Sequence, residues 1–438
     1  MARFLSALLP LSLAAVTAAS AQPTAAVGGV IPAVDQHAYE IRRRELKGYL
    51  LRRGPAATTL YRSQAERMDR LSARVAAREA AGEKTGCSHE ILAEAEWLRG
   101  YVMDPERIRA RLDELERVLA DPSLETQSES QDPTDGSWGR CHEEWFFKLN
   151  ATYDHLSRPS NAGEHPRYKL ALLDRVNSPQ RLRAYLTQIA RSDIPAAGID
   201  HRRELNESLS HLTRLILRGQ PAYYAWRRGL KQVLLDALLH DLRNPRTGWW
   251  GERYVRGGGE VFIDDLSITF HVLSYLPEPR PALGAAMAHL LAVKDLYYPI
   301  GWLEHGRYTN HNNMDVVKLF SLGWRDMSEP QRQAAAAEIG KMLDWCLKNS
   351  LRPDGSFVPD PESSDSLEEE TSWGVSFLCR LGFFDAAKRF WTHEDFPQAD
   401  RIRTRLIANI RAHLTSGGAG GTYFENALAE LEPTRTAP

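Results

Sequence analysis

The chain has 438 residues, 43% hydrophobic and 26% charged, which is the ordinary soluble balance and enough for one large domain or two smaller ones. A formal net charge of −2 excludes a general nucleic-acid binder, which needs a basic excess to release counterions from phosphate. The 11 Trp and 15 Tyr fit a large helical core or a cleft in which rings cover the apolar faces of sugars.

Arg3 precedes an apolar run, FLSALLPLSLAAVTAA, and Ala19-Ser20-Ala21 follows with the small residues a signal peptidase accepts. Residues 1–21 therefore read as a signal peptide, with Gln22 opening the mature chain. The run is interrupted by Pro10 and is too short for a comfortable transmembrane helix. No other apolar stretch could span a bilayer, so a soluble secreted or periplasmic protein is expected, without a membrane span after cleavage. Residues 22–58 read as a linker and N-terminal segment, 59–430 as a single domain and 431–438 as a tail.

Helical patterning dominates from residue 59. The stretch 59–81 is charged and amphipathic, and 89–102 sets Ile91, Leu92, Ala95 and Leu98 on one face. The stretch 105–120 repeats the pattern with Ile108, Leu112, Leu115 and Leu119. A polar loop is expected at 121–136. Further helices are predicted at 142–157, 166–174, 178–191, 201–218, 221–242, 264–276, 282–296, 313–322, 329–350, 371–381, 383–391 and 399–414. Strand-like alternation is scarce, so the fold class is all-α.

One loop recurs: Asp135-Gly136-Ser137-Trp138, Thr247-Gly248-Trp249-Trp250, Asp354-Gly355-Ser356-Phe357 and, more loosely, Gly420-Gly421-Thr422-Tyr423. Gly permits the positive φ of a tight turn, and the aromatic can fold back onto helix ends. Helical hairpins joined by such loops predict an α/α toroid, with the loops rimming a cleft at the ends of its inner helices. Export permits disulfides, and four cysteines allow three pairings. Cys87 and Cys141 lie in Gly-flanked polar loops and are the favoured pair, while Cys346 and Cys379 lie on apolar stretches and read as buried thiols.

Three polar clusters could carry chemistry. The densest is 302–315, with Trp302, Glu304, His305, Arg307, Tyr308, Asn310, His311, Asn312, Asn313 and Asp315. The second is 249–271, with Trp249, Trp250, Glu252, Arg253, Tyr254 and Arg256, then Gly257-Gly258-Gly259 as a loop over a cleft, then Asp264, Asp265, Thr269 and His271. Asp264 is placed either to cap the helix that follows or to share a face with His271, two turns on. The third is the acidic run Asp360, Glu362, Asp365, Glu368, Glu369 and Glu370 with Trp373. No Cys/His spacing suggests zinc, and no Gly-Lys-Ser/Thr follows the triple glycine, so no metal or cofactor is expected.

Two reactions suit such residues. β-Elimination on a polyuronate requires a carboxylate to be neutralised, the C5 proton removed and O4 protonated, tasks for Asn, Arg, His, Tyr or a protonated acid. Glycoside hydrolysis requires two carboxylates, for which Asp264, Asp265, Asp315 and Glu370 are available. A non-catalytic glycan-binding protein is the third possibility.

The strings TGWWGERY, FIDDLSITFHVLSYL, YPIGWLEHGRYTNHNNMDVV and LRPDGSF resemble secreted α/α-toroid polysaccharide lyases, most closely polysaccharide lyase family thirty-eight. The resemblance covers roughly residues 200–395. It implies a lyase of a glucuronan- or alginate-like polymer acting on an anionic polysaccharide, as a monomer or weak dimer. Asn310-His311, Tyr308 and Arg307 match the residue types of older alginate and chondroitin lyases in a different order and spacing. On this reading Tyr308 transfers the proton, with His271 or His311 as base or partner. Arg307, Asn310 and Asn312 neutralise the uronate, and Asp264 orients His271 or shares a proton with the substrate. Trp249, Trp250, Arg253, Tyr254, Trp302, His305 and Asn313 line the substrate.

Overall fold

The computed structural model describes residues 38–161, 163–219, 221, 223–358, 366–415 and 421–432. The signal-peptide and linker readings at 1–35, the acids Asp360, Glu362 and Asp365, Gly420 and the tail 433–438 lie outside the described residues. Sixteen α-helices follow one another: α1 Ala38–Arg52, α2 Pro55–Ala80, α3 Gly86–Trp97, α4 Pro105–Ala120, α5 Trp145–Ser157, α6 Pro179–Ile189, α7 Ile194–Ala197 and α8 Arg202–Leu212. They continue as α9 Leu230–Asp236, α10 Leu266–Tyr275, α11 Gly284–Ala292, α12 Asn310–Gly323, α13 Glu329–Trp345, α14 Leu367–Arg380, α15 Ala399–Thr415 and α16 Gly421–Leu431. Single π-helical turns prolong α3, α8, α9 and α13. The mostly helical expectation holds.

Local rules account for individual helices. The α4 helix opens on Asp104, whose carboxylate accepts from the Glu106 and Arg107 amides, with Pro105 at the first helical position. Its stripe Ile108, Leu112, Leu115 and Leu119 is buried, each side chain contributing roughly 1.5–3 kcal/mol. Asp265, not Asp264, caps α10 by accepting from the Ile268 amide at 3.0 Å. Thr309 caps α12 and starts it at Asn310, three residues earlier than predicted, so 310–312 is helix rather than loop. At 166–174 and 383–391 only short 3₁₀ turns form, Ala171–Arg175 and Ala386–Lys388.

Consecutive packing forms a circuit. Helix α5 packs on α8, α8 on α10, α10 on α12, α12 on α14 and α14 on α16. The return from α16 to α5 runs through the 3₁₀ turn Pro159–Asn161. Helices α6, α11 and α15 back this ring against α8, α12 and α16 respectively. The recurring loops enter ring helices in a common geometry. Asp135 and Asp354 each accept from the amide and hydroxyl of the Ser two residues on, and Gly136, Gly248 and Gly355 all take positive φ. The Trp138 and Trp250 amides donate to Thr152 on α5 and Thr269 on α10, each at 3.0 Å. In the fourth copy, Thr422 and Tyr423 belong to α16 itself.

Two expectations fail here. The segment 249–264 is a hairpin, β2 Gly251–Arg256 against antiparallel β3 Gly259–Asp264, with β1 Arg191–Ser192 parallel to β2. Gly257 and Gly258, at φ 59° and 81°, form its tight turn, so the triple glycine is a hairpin tip. The N-terminal segment is no linker beyond residue 37, because α1 is bolted into the fold. Arg42 is 1% exposed and ion-paired to both Asp200 and Glu252. Its Nε donates to Asp200 at 2.8 Å, and its guanidinium stacks over Tyr39 and Tyr254, each at 5.2 Å.

Cys87 and Cys141 are joined as expected, tying the start of α3 to the loop before α5. Cys346 is a buried free thiol and Cys379 a half-buried one. Among the described residues no helix is long and apolar enough to cross a membrane.

Removing Arg42 leaves two buried carboxylates facing each other. Arg42→Met is expected to lower unfolding free energy by roughly 3–5 kcal/mol, measured by urea titration.

Candidate active site

The ring helices share a sequence property that helical spacing makes visible. Each turns a polar stripe to one face. On α8 and its π-helical extension the stripe is Glu207, His211 and Arg214; on α10 it is Ser267, His271 and Tyr275. On α12 it is His311, Asp315 and Lys318, and on α14 it is Glu369, Trp373 and Arg380. Steps of three, four and seven residues put each set on a single face. Tyr153 and Asp154 on α5 and Tyr423 on α16 complete the wall.

Contacts between helices bring these stripes together. The Arg214 guanidinium lies over Tyr153 at 4.1 Å and over Tyr275 at 4.4 Å. Tyr153 meets His211 edge-on at 5.1 Å, and His271 stacks on Tyr275 at 6.1 Å. His311 stacks on Trp373 at 4.4 Å and lies 5.8 Å from the Tyr298 ring. At the N-terminal ends of α8 and α10, Arg202 Nε pairs with Asp265 at 2.6 Å, and the Tyr39 hydroxyl donates to the same carboxylate at 2.8 Å.

The electrostatics follow from burial among cations. Burial drives the His271 imidazole well below its ordinary range, and Arg214, His211, His311 and Arg202 push the same way. His271 is therefore neutral, and its buried Nδ1 has no hydrogen-bond partner among the described residues. Burial lowers His311 to about 4. It lowers His211 to about 3, with Arg214 adding to the effect. Burial raises the Asp315 carboxyl well above the usual range, against Arg380 and with Asp265 reinforcing it. A neutral Asp315 is a hydrogen-bond donor, and neither of its buried oxygens has a partner among the described residues.

Asp154 is open to water yet surrounded by protein, as a side chain on a concave wall is. That surrounding pushes its carboxyl up to about 6, opposed by Arg214 and reinforced by Glu207. Toward the C-terminal ends of α12 and α14 the wall is basic. Burial and the nearby Arg380 and Arg280 lower Lys318 to about 8. Lys318, Arg380 and Glu430 line a cavity of about 390 Å³ there.

Of the residues singled out in the sequence, His271, His311, Asp315, Glu369 and Trp373 belong to this wall. The others are placed differently. Trp249, Trp250 and Trp302 are 0%, 0% and 1% exposed. Trp249 and Trp250 donate their indole N–H groups to the Ala286 and Leu238 carbonyls. They are core, with no face left for a sugar.

Tyr254 is buried with its hydroxyl on Glu45. Asn310 donates to Ser350 and Glu370, and Asn312 to the Trp302 carbonyl, so both amides hold the fold instead of a uronate. Asn313 is buried on α12, off the face of His311. Asp264 accepts from Asn244 at 2.9 Å and faces His289 at 3.2 Å, not His271. Tyr308 meets Trp345 on α13 and feels Glu338, Lys341 and Lys294. Arg253 is exposed beside Glu260, and His305 and Arg307 lie exposed where the Glu304 and Arg307 backbones pair.

Sequence reasoning missed Tyr39, Asp154, Arg202, Glu207, His211, Arg214, Tyr275 and Tyr298. A signal existed: polar residues repeating at helical spacing on otherwise apolar helices. Among the described residues no cluster of His, Cys, Asp or Glu is suited to holding a metal ion. The chain matches no protein-family model, and neither curated proteins nor solved structures include a match.

The neutral state of His211 has a consequence for stability. The unfolded chain protonates this imidazole below its ordinary value of 6.5, whereas the fold resists until about 3. Stability from this group is complete above pH 6.5 and falls as pH drops through that window. His211→Gln is expected to lose less stability than the parent between pH 6.5 and 4, read from urea midpoints at stepped pH.

Proposed function

We propose that the protein is a secreted or periplasmic polysaccharide lyase built on an α/α toroid, cleaving a glucuronan- or alginate-like polyuronate by β-elimination. The closed circuit of ring helices backed by outer helices supports the toroid. The Cys87–Cys141 disulfide supports export, since such bonds persist in oxidising compartments.

The observation that carries the reading is His271. It is neutral, its Nδ1 is unpartnered among the described residues, and it shares a face of α10 with Tyr275 beneath the Arg214 guanidinium. In the proposed reaction His271 takes the C5 proton of the uronate, the C4–O4 bond breaks, and a C4=C5 double bond forms. Tyr275, which burial keeps protonated, gives its proton to O4. Arg214 holds the substrate carboxylate and lowers the cost of charge developing beside it. Tyr308 has no part in this scheme because its neighbours lie on α13.

A second reading, an inverting glycosidase, has one specific observation in its favour. Asp154, pushed up to about 6, is a carboxyl with a raised pKa near a second carboxylate, Glu207, as a general acid requires. Asp264 and Asp265 do not serve it, since one is held by Asn244 and His289 and the other by Arg202 and Tyr39.

Incubation with glucuronan or alginate is expected to yield products with the ultraviolet absorbance of an unsaturated uronate. His271→Ala and Tyr275→Phe should each lower kcat/KM by roughly 100- to 10,000-fold, while Tyr308→Phe stays near the parent. New reducing ends without that absorbance, abolished by Asp154→Asn and not by Tyr275→Phe, would establish the glycosidase instead.

A further inference from the structure

A second cavity lies outside the wall. It is an open cleft of about 820 Å³ between two segments, 164–170 (EHPRYKL) and 223–229 (YYAWRRG). Each string interleaves tyrosines with cations. The first follows the C-terminal end of α5 and the second the π-helical end of α8, the same ends of the ring helices at which Lys318 and Arg380 face their own cavity.

Both strings are held by two-point amide clamps. Gln131 donates to the Tyr168 carbonyl at 2.9 Å and accepts from the Tyr168 amide at 2.8 Å. Asn177 donates to the Ala225 carbonyl at 3.0 Å and accepts from the Arg227 amide at 2.8 Å. Rigid backbones at a polar cavity lower the ordering cost of binding.

The charges are unbalanced. Asp174, the carboxylate of this cavity, is taken by Lys169 and the Tyr224 hydroxyl, each at 2.8 Å. Arg167 and Arg227 are exposed and meet no carboxylate among the described residues. Tyr223 is 43% exposed and stands edge-on to His165 at 5.2 Å, and Arg167 lies over the Tyr168 ring at 5.4 Å. Ring faces suit the apolar faces of sugars, and unpaired guanidinium forks suit carboxylates.

We propose that this cavity is a secondary docking site for an anionic polysaccharide chain, with Tyr223 and Tyr168 as stacking platforms and Arg167 and Arg227 pairing with its carboxylates. It rests on the reading that the protein acts on an anionic polysaccharide. The site holds a long chain beyond the wall, so it affects binding of polymer and not the turnover of short oligomers. A strand of nucleic acid presents similar chemistry, and binding to it instead is one of the outcomes that the test distinguishes.

The test uses the full chain carrying His271→Ala, run in native gels containing polyglucuronate, alginate or neutral dextran, with oligothymidylate in a parallel shift assay. Either uronate polymer should retard the protein, and Arg167→Gln with Arg227→Gln and Tyr223→Ala should weaken that binding by about tenfold. Dextran and oligothymidylate should leave mobility unchanged. With His271 intact, the triple variant should keep its kcat on short oligouronates and raise KM on polymer alone. These side chains are exposed, and Arg227→Gln alone provides a milder variant whose unfolding midpoint should match the parent. No retardation by either uronate, equal retardation of parent and variants, or a response to oligothymidylate or dextran instead overturns the proposal. Retardation lost in the variants, without any ultraviolet-absorbing product from the intact protein, keeps the docking site and removes the lyase reading.

Discussion

The buried guanidinium of Arg42 is the constraint on which the N-terminal side of the molecule depends. It reaches from α1 to Asp200, just before α8, and to Glu252 on β2, and all three groups are nearly inaccessible to water. Ser192 extends the network by donating to Glu252 at 2.8 Å while accepting from the His201 amide at 2.9 Å. Charges removed from water in this way are tolerated only when geometry satisfies them, so the network specifies one arrangement of α1, the sheet and the start of α8. A parallel set, Arg202 with Asp265 and Tyr39, joins α1 to the start of α10. Together they fix the N-terminal ends of two wall helices and carry Tyr39 to the mouth of the wall.

Below that mouth the wall sorts its charges. Arg214 stands among Tyr153, Tyr275 and the histidines, and Lys318 and Arg380 follow toward the C-terminal ends. Asp154, Glu207 and Glu369 gather near Tyr423, whose hydroxyl they help keep protonated alongside burial. Burial holds the histidines neutral, with Arg214 adding to it at His211 and His271, and burial also holds Asp315 neutral. One environment thus keeps both a base and an acid uncharged, because burial disfavours the charged form of each.

Much of the helical framework was legible because helices announce themselves locally. The α4 bounds follow from Asp104, Pro105 and the stripe Ile108 to Leu119. The recurring turns were visible through Gly136, Gly248 and Gly355, whose positive φ few other residues adopt without strain. The hairpin 251–264 was not visible, since its strands bury blocks of residues instead of alternating ones, so no period-two pattern marks them. Nor was the fate of the tryptophans. A Trp beside a glycine turn looks the same in sequence whether it rims a cleft or plugs a core, and Trp249 and Trp250 plug the core.

The site divides along the same line. By itself the sequence determined the helical class; it favoured the Cys87–Cys141 pairing without fixing it, although Cys87 lies in α3 and not in a loop, and it offered His271 and His311 as candidates. Density of polar residues along the chain favoured 302–315, but α12 starts at Asn310 and turns Asn310 and His311 to different directions. Only the tertiary structure decided which polar groups share a surface. It paired Asp264 with His289, placed Tyr308 against α13, and set Arg214 and Tyr275, distant in sequence, around His271. The physical reason is that a helix disperses neighbours by 100° per residue, so residues adjacent in the chain face apart while those on separate helices converge.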